Sequence, residues 1–138
     1  MNNILVDTGP LVAILVGTDL HHAWAVEQLP ELPAPFVTCE PVLAETFYLV
    51  SRLPNGPRRF FELLASGLLK VEFNVLAERE ALQKLIYKYT DLPMSLADAC
   101  LVRMAEQIQD AVVFTTDSDF RTYRKNGRQI IPLIMPET

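Results

Sequence analysis

Short apolar runs alternate along the chain with longer stretches whose apolar residues recur every three or four positions. Ile4 to Val6 is apolar, partly β-branched, and stops at Asp7; Pro10 then suits the first turn of a helix through Ile14. Asp19 can cap a second helix through Leu29, after which Pro30, Pro33 and Pro35 force a loop before a strand at Phe36 to Cys39. In a third helix Pro41 fits the first helical position, and Val42, Leu49, Val50 and Leu53 fall on one side until Pro54-Asn55-Gly56-Pro57 breaks the pattern. A fourth helix, Arg58 to Ala65, ends at Gly67 and leads to a strand at Leu69 to Phe73. Further helices are predicted over Leu76 to Tyr89 and Ser95 to Gln109. Ala111 to Thr115 reads as a buried strand, Ser118 to Lys125 as a short helix, and Ile130 to Ile134 as a last strand, where Pro132 points to a sheet edge.

Five short strands separated by helices predict an α/β fold: parallel strands, right-handed crossovers, and helices on both faces of a twisted central sheet. In such folds ligands bind beyond the carboxyl ends of the strands, where the strand order switches direction. The length of 138 residues, with no repeat and no linker-like stretch, fits a single domain over 1–138. Half the residues are hydrophobic, which argues against disorder. The apolar run Leu11 to Val16 is far too short to span a membrane and no basic segment precedes it, so a cytoplasmic protein with no membrane role is expected. Cys39 and Cys100 lack CxxC spacing or clustered histidines and are expected to be reduced, buried thiols; His21 and His22 are expected on the solvated surface.

The carboxylates change the picture. Asp7 closes the first strand, and Asp117, in VVFTTDSDF, follows the strand that ends near Thr115, so both belong to one edge of the sheet. Glu45 shares a helix face with Leu49 and Leu53, which places a charge along a stripe expected to face inward; Asp98 stands above Leu101, Val102 and Ala105. Taken singly, Asp7 and Asp117 can be helix N-caps and Asp98 the acidic half of a capping box with Ser95. Taken together, four acids at one end of a sheet would repel one another unless a cation neutralised them. Oxygen donors without histidine or cysteine suit magnesium or manganese, the ions of metal-dependent phosphodiester hydrolysis. The net charge of -5 disfavours sequence-blind attraction to nucleic acid, but RTYRKNGR gathers Arg121, Arg124, Lys125 and Arg128, and Arg58 and Arg59 form a second, smaller basic point.

ILVDTGPLVAIL, EPVLAETFYLV, LADACLVRMAE and VVFTTDSDF, in that order, span nearly the whole chain, and together they resemble a PIN-domain ribonuclease of the VapC toxin type. The resemblance implies a three-layer α/β/α fold and an acidic quartet of Asp7, Glu45, Asp98 and Asp117 holding one or two Mg2+ or Mn2+ ions. It makes Thr115 the hydroxyl residue of a TxD motif and Asp119 an additional candidate. It further implies RNA as substrate, with Arg121, Arg124, Lys125 and Arg128 as candidate contacts, a homodimer, and a cognate antitoxin protein of a type II toxin-antitoxin pair. A solitary PIN nuclease that processes RNA would carry the same acids, and a non-catalytic metal- and protein-binding module would be compatible with them.

Two other classes share single features. Asp7-Thr8-Gly9 is also the aspartic-protease triplet, but that fold is all-β and here helix formers and Pro10 follow. A receiver-like phosphorylation domain also gathers acids at strand ends, yet would want a lysine after its last strand, and Ile130 to Met135 contains none.

Overall fold

The computed structural model describes residues 2–137. Strands β1 (Asn3–Val6), β2 (Phe36–Thr38), β3 (Leu69–Val71), β4 (Ala111–Phe114) and β7 (Leu133–Ile134) form one parallel sheet in the order β3-β2-β1-β4-β7. The chain runs outward from β1 to β3, then returns to lay β4 on the other side of β1, with Ile4 opposite Val112 and Val6 opposite Phe114. The order therefore reverses between β1 and β4, and the crevice beyond their carboxyl ends is the place where such a fold binds ligands.

Six helices complete a three-layer α/β/α arrangement: α1 (Thr8–Leu15), α2 (His22–Gln28), α3 (Glu40–Val50), α4 (Gly56–Ala65), α5 (Arg79–Lys88) and α6 (Leu96–Gln107). Among these, α1 packs with α2 and α3, while α6 packs with α5, α3, β1 and β4. Ile4, Leu5 and Val6 are fully buried beside Val113 and Phe114, which explains the continuous apolar runs of the central strands. Seven of the twelve residues of α6 are buried, including Leu101, Val102 and Ala105 below Asp98. Cys39 and Cys100 are free thiols with no exposure, as their surroundings suggested.

Several expectations needed correction. Ser118 to Lys125 is not one helix: a 3-10 turn, Ser118–Arg121, gives way to a hairpin of β5 (Arg124–Lys125) and β6 (Gln129–Ile130). Asn126 and Gly127 adopt φ of 50° and 83°, the left-handed backbone that turns this hairpin, and Asn-Gly is the dipeptide that signals it. The run Ile130 to Ile134 is split at Pro132: its first residue pairs with β5, and Leu133–Ile134 forms the sheet edge. Along α3, Val42 and Val50 are buried but Leu49 and Leu53 are exposed, so the stripe shared with Glu45 faces outward. His22 is half-buried with Nδ1 2.6 Å from the Ala13 carbonyl, rather than solvated. The second basic point is structural: Arg59 donates to the Leu15 carbonyl at 3.0 Å, and Arg58 pairs with Glu62.

Candidate metal centre

Asp7 lies where β1 ends, and its position is fixed from three sides. Its backbone N–H continues the ladder to the Phe114 carbonyl, its Oδ1 accepts from the Thr8 N–H at 2.7 Å, and its Oδ2 accepts from the Thr115 hydroxyl at 2.7 Å. The carboxyl is only 5% exposed. Burial pushes its pKa from 3.8 up to about 7, against the two hydrogen bonds that favour the ionised form; the nearby charges of Asp98 and Asp117 push it in the same direction as burial.

Thr115, fully buried, works in both directions along its hydroxyl. While donating to Asp7 it accepts from the Asp117 N–H at 2.9 Å, so one side chain ties the end of β1 to the loop after β4. Asp117 in turn accepts from the Asp119 N–H at 2.9 Å and caps the 3-10 turn. Asp98 forms the full capping box of α6: the Ser95 hydroxyl accepts from its N–H at 3.0 Å, and its Oδ2 accepts from the Ser95 N–H at 3.2 Å. Its pKa is raised by burial first, then by the charges of Asp117 and Glu45.

The capping roles and the convergence are therefore both real. One carboxylate oxygen each from Asp7, Asp98 and Asp117 lie within 4.8 Å of one another, although the residues are distant in sequence. Three oxygen donors so close, two of them with their charged forms disfavoured by burial, fit a hard divalent cation, whose charge would offset the repulsion.

Glu45 stands outside this group of three. It is exposed on α3, and its Oε2 accepts from the Thr8 hydroxyl at 3.0 Å, which brings it to the rim of the cluster rather than into the core. Asp119 is half-buried beside the site, its pKa raised by burial first and then by Asp117. The basic residues lie on the following segment. Arg121 and Arg128 are exposed, Lys125 is half-buried, and Arg124 donates through Nη1 to the carbonyls of Arg121, Thr122 and Tyr123.

Two contacting residues had escaped the reading of the sequence. Thr8 touches both Asp7 and Glu45, and its place directly after a strand-end aspartate was the available signal. Tyr123, buried, has its hydroxyl pKa pushed up by burial first and then by Asp98, Asp119 and Asp117, so the aromatic side chain underlies the acidic cluster. Its neighbours Phe120 and Tyr89 meet it edge-on, and nothing in its spacing distinguished it from ordinary core. A cavity of about 590 Å3 elsewhere, lined by Glu78, Arg79, Lys84, Arg103 and Glu106, shares no residue with the cluster.

Comparison with curated proteins finds no match. Among solved structures, the fold is similar to that of Mycobacterium tuberculosis VapC20, described as a sarcin-ricin loop cleaving toxin. The TM-score is 0.73 at 24% identity, over 87% of this chain and 94% of that one. The PIN-domain family model matches residues 4–126, a span that begins in β1, ends in the β5–β6 turn and contains Asp7, Glu45, Asp98 and Asp117. With acids at the switch point of a parallel sheet and a match over most of its length, the chain belongs to the PIN-domain family.

Proposed function

We propose that this PIN domain is an endoribonuclease that depends on Mg2+ or Mn2+ and hydrolyses RNA phosphodiester bonds, acting as the toxin of a type II toxin-antitoxin pair in the cytoplasm. The observation that carries the reading is the meeting of Asp7, Asp98 and Asp117 within 4.8 Å at the reversal of strand order. Family membership and the likeness to an RNA-cleaving toxin support nuclease chemistry and RNA as the substrate.

Asp7, Asp98 and Asp117 would hold the ion, with Glu45 completing the quartet from the rim. When bound, a divalent ion supplies the positive charge that lowers the pKa of an attacking water and offsets charge building on the phosphate. The protein's own groups do the rest. The Thr115 hydroxyl and the Thr8 N–H fix both oxygens of Asp7, and the Ser95 N–H fixes Asp98. Glu45, held at the rim by the Thr8 hydroxyl, would complete the oxygen donors around the ion, and Asp119 adds negative charge beside Asp117. Arg121, Arg124, Lys125 and Arg128 would attract the RNA backbone, countering the overall acidity. A protein partner, either an antitoxin or a second copy in a homodimer, is supported by the exposed apolar side chains Tyr48, Leu49, Leu53, Phe61 and Leu64 of α3, α4 and the turn between them.

The test is cleavage of RNA with Mg2+ or Mn2+, with and without chelator. The parent should cut only with metal, and Asp7→Asn and Asp98→Asn should each lose cleavage while remaining folded. Equal rates for Asp7→Asn and parent at matched metal would sink the assignment.

A further inference from the structure

The acid that completes the proposed quartet is the one least fixed by its own element. Asp7 is held at the end of β1, Asp117 caps the 3-10 turn after β4, and Asp98 is locked in a capping box. Glu45 is exposed, has one more rotatable bond than an aspartate, and sits one helical turn along α3. Left to itself, such a side chain samples many rotamers, few of which aim at the cluster. Its carboxylate is instead gripped by Thr8, whose hydroxyl donates to Oε2 at 3.0 Å from across the α1–α3 interface. Thr8 is 7% exposed, and its own backbone N–H already holds Asp7 Oδ1. One residue thus grips two acids of the site, one through its backbone and one through its side chain.

We propose that Thr8 is the positioning residue for Glu45, holding that carboxylate at the rim so that it contributes to divalent-ion binding. The proposal rests on the nuclease reading only for its activity readout. Because the backbone N–H survives substitution by Val or Ser, removing the hydroxyl tests the link to Glu45 and leaves the link to Asp7 in place.

The experiment compares the parent, Thr8→Val, Thr8→Ser, Glu45→Ala and the double variant Thr8→Val/Glu45→Ala. Mn2+ binding is read by electron paramagnetic resonance, and RNA cleavage is followed as a function of Mn2+ concentration. Thr8→Val, nearly isosteric, should weaken Mn2+ binding by roughly tenfold, the scale of one hydrogen bond to a charged group. The loss should lie in the metal concentration needed for half-maximal cleavage more than in the rate at saturating metal. Thr8→Ser should recover most of the affinity, and the double variant should bind no more weakly than Glu45→Ala alone.

Unchanged Mn2+ affinity in Thr8→Val overturns the proposal. So does a Thr8→Val penalty of the same size with and without Glu45, which would mark a general packing effect. A parent that binds Mn2+ but leaves RNA intact overturns the nuclease reading while the binding comparison still decides the role of Thr8. A parent that binds no Mn2+ overturns both.

Discussion

Asp7 ionises against its surroundings, and this has a measurable sign. Its folded pKa, about 7, lies above the ordinary 3.8. The associated stability is complete below pH 3.8, where folded and unfolded chains are both protonated, and is lost as pH rises through 7. The metal-free protein should therefore become less stable between pH 4 and pH 8, by an amount on the order of 4 kcal/mol from Asp7. Asp98 adds to the same trend, whereas Glu78, held low by Arg103, acts with the opposite sign in more acid solution. Denaturant titrations across this range should show the slope flattened in Asp7→Asn, with that variant more stable than the parent at pH 8; a pH-independent parent would contradict the buried, charge-crowded carboxyl. Thr115→Val removes the donor to Asp7 and the acceptor of the Asp117 N–H together, so calorimetry should show Mn2+ affinity reduced by roughly tenfold or more. Asp7, Asp98, Asp117 and Thr115 could be read from the sequence because they follow strands or open a helix, whereas Glu45 stood out for a stripe expected to face inward that the structure turns outward. The Thr8 to Glu45 contact could not, since it joins residues 37 apart through the packing of α1 on α3.

Between elements, the approach of α1 to the loop after β4 depends on the absence of a side chain at Gly9. A Cβ there would stand 2.0 Å from Thr116 Oγ1, and Thr116 is β-branched with little room to yield. Gly9→Ala should cost about 1–3 kcal/mol, and Gly9→Ala/Thr116→Ala should regain part of it; equal melting temperatures for Gly9→Ala and the parent would mean that the two elements are not in firm contact. On the other side of the site the β5–β6 hairpin is pinned to the helical layer. Glu106 accepts from the Asn126 N–H at 2.7 Å, and Lys88 donates to the Gly127 carbonyl at 2.8 Å. Helix periodicity and prolines located every large helix, with ends displaced by up to three residues, as at Leu76 against Arg79 and Leu53 against Val50, because burial on one face imposes that pattern. The hairpin was misread because its strands are two residues long, too short for periodicity, and only Asn126-Gly127 marked it. The stripe of α3 was misread for a different reason: Leu49 and Leu53 are apolar but exposed, and spacing alone cannot tell a core face from a docking face.

For the molecule as a whole, a cation that binds only the folded chain should raise its melting temperature. At a Mn2+ concentration a hundred times the dissociation constant the gain is about 2.7 kcal/mol, or roughly 5–10 °C for a chain of this size. Thermal scans should show that shift in the parent and a much smaller one in Asp98→Asn; no shift at any concentration would argue against a preformed site. The parallel architecture, the central sheet and the meeting of Asp7, Asp98 and Asp117 at one end of it were recoverable from alternation of strand and helix, because crossover handedness leaves few topologies. The strand order itself was settled by tertiary pairing, with Asn3 beside Ala111 and Val6 beside Phe114. That pairing also governs the order in which the acidic cluster can assemble. Asp7 is made before Asp98 and Asp117, and Asp117 joins it only after β4 has been laid against β1, with Thr115, which links the first acid to the last, just after β4. A chain still emerging from the ribosome therefore carries Asp7 without the rest of the cluster, which is complete only once Asp117 has been made and β4 has paired with β1.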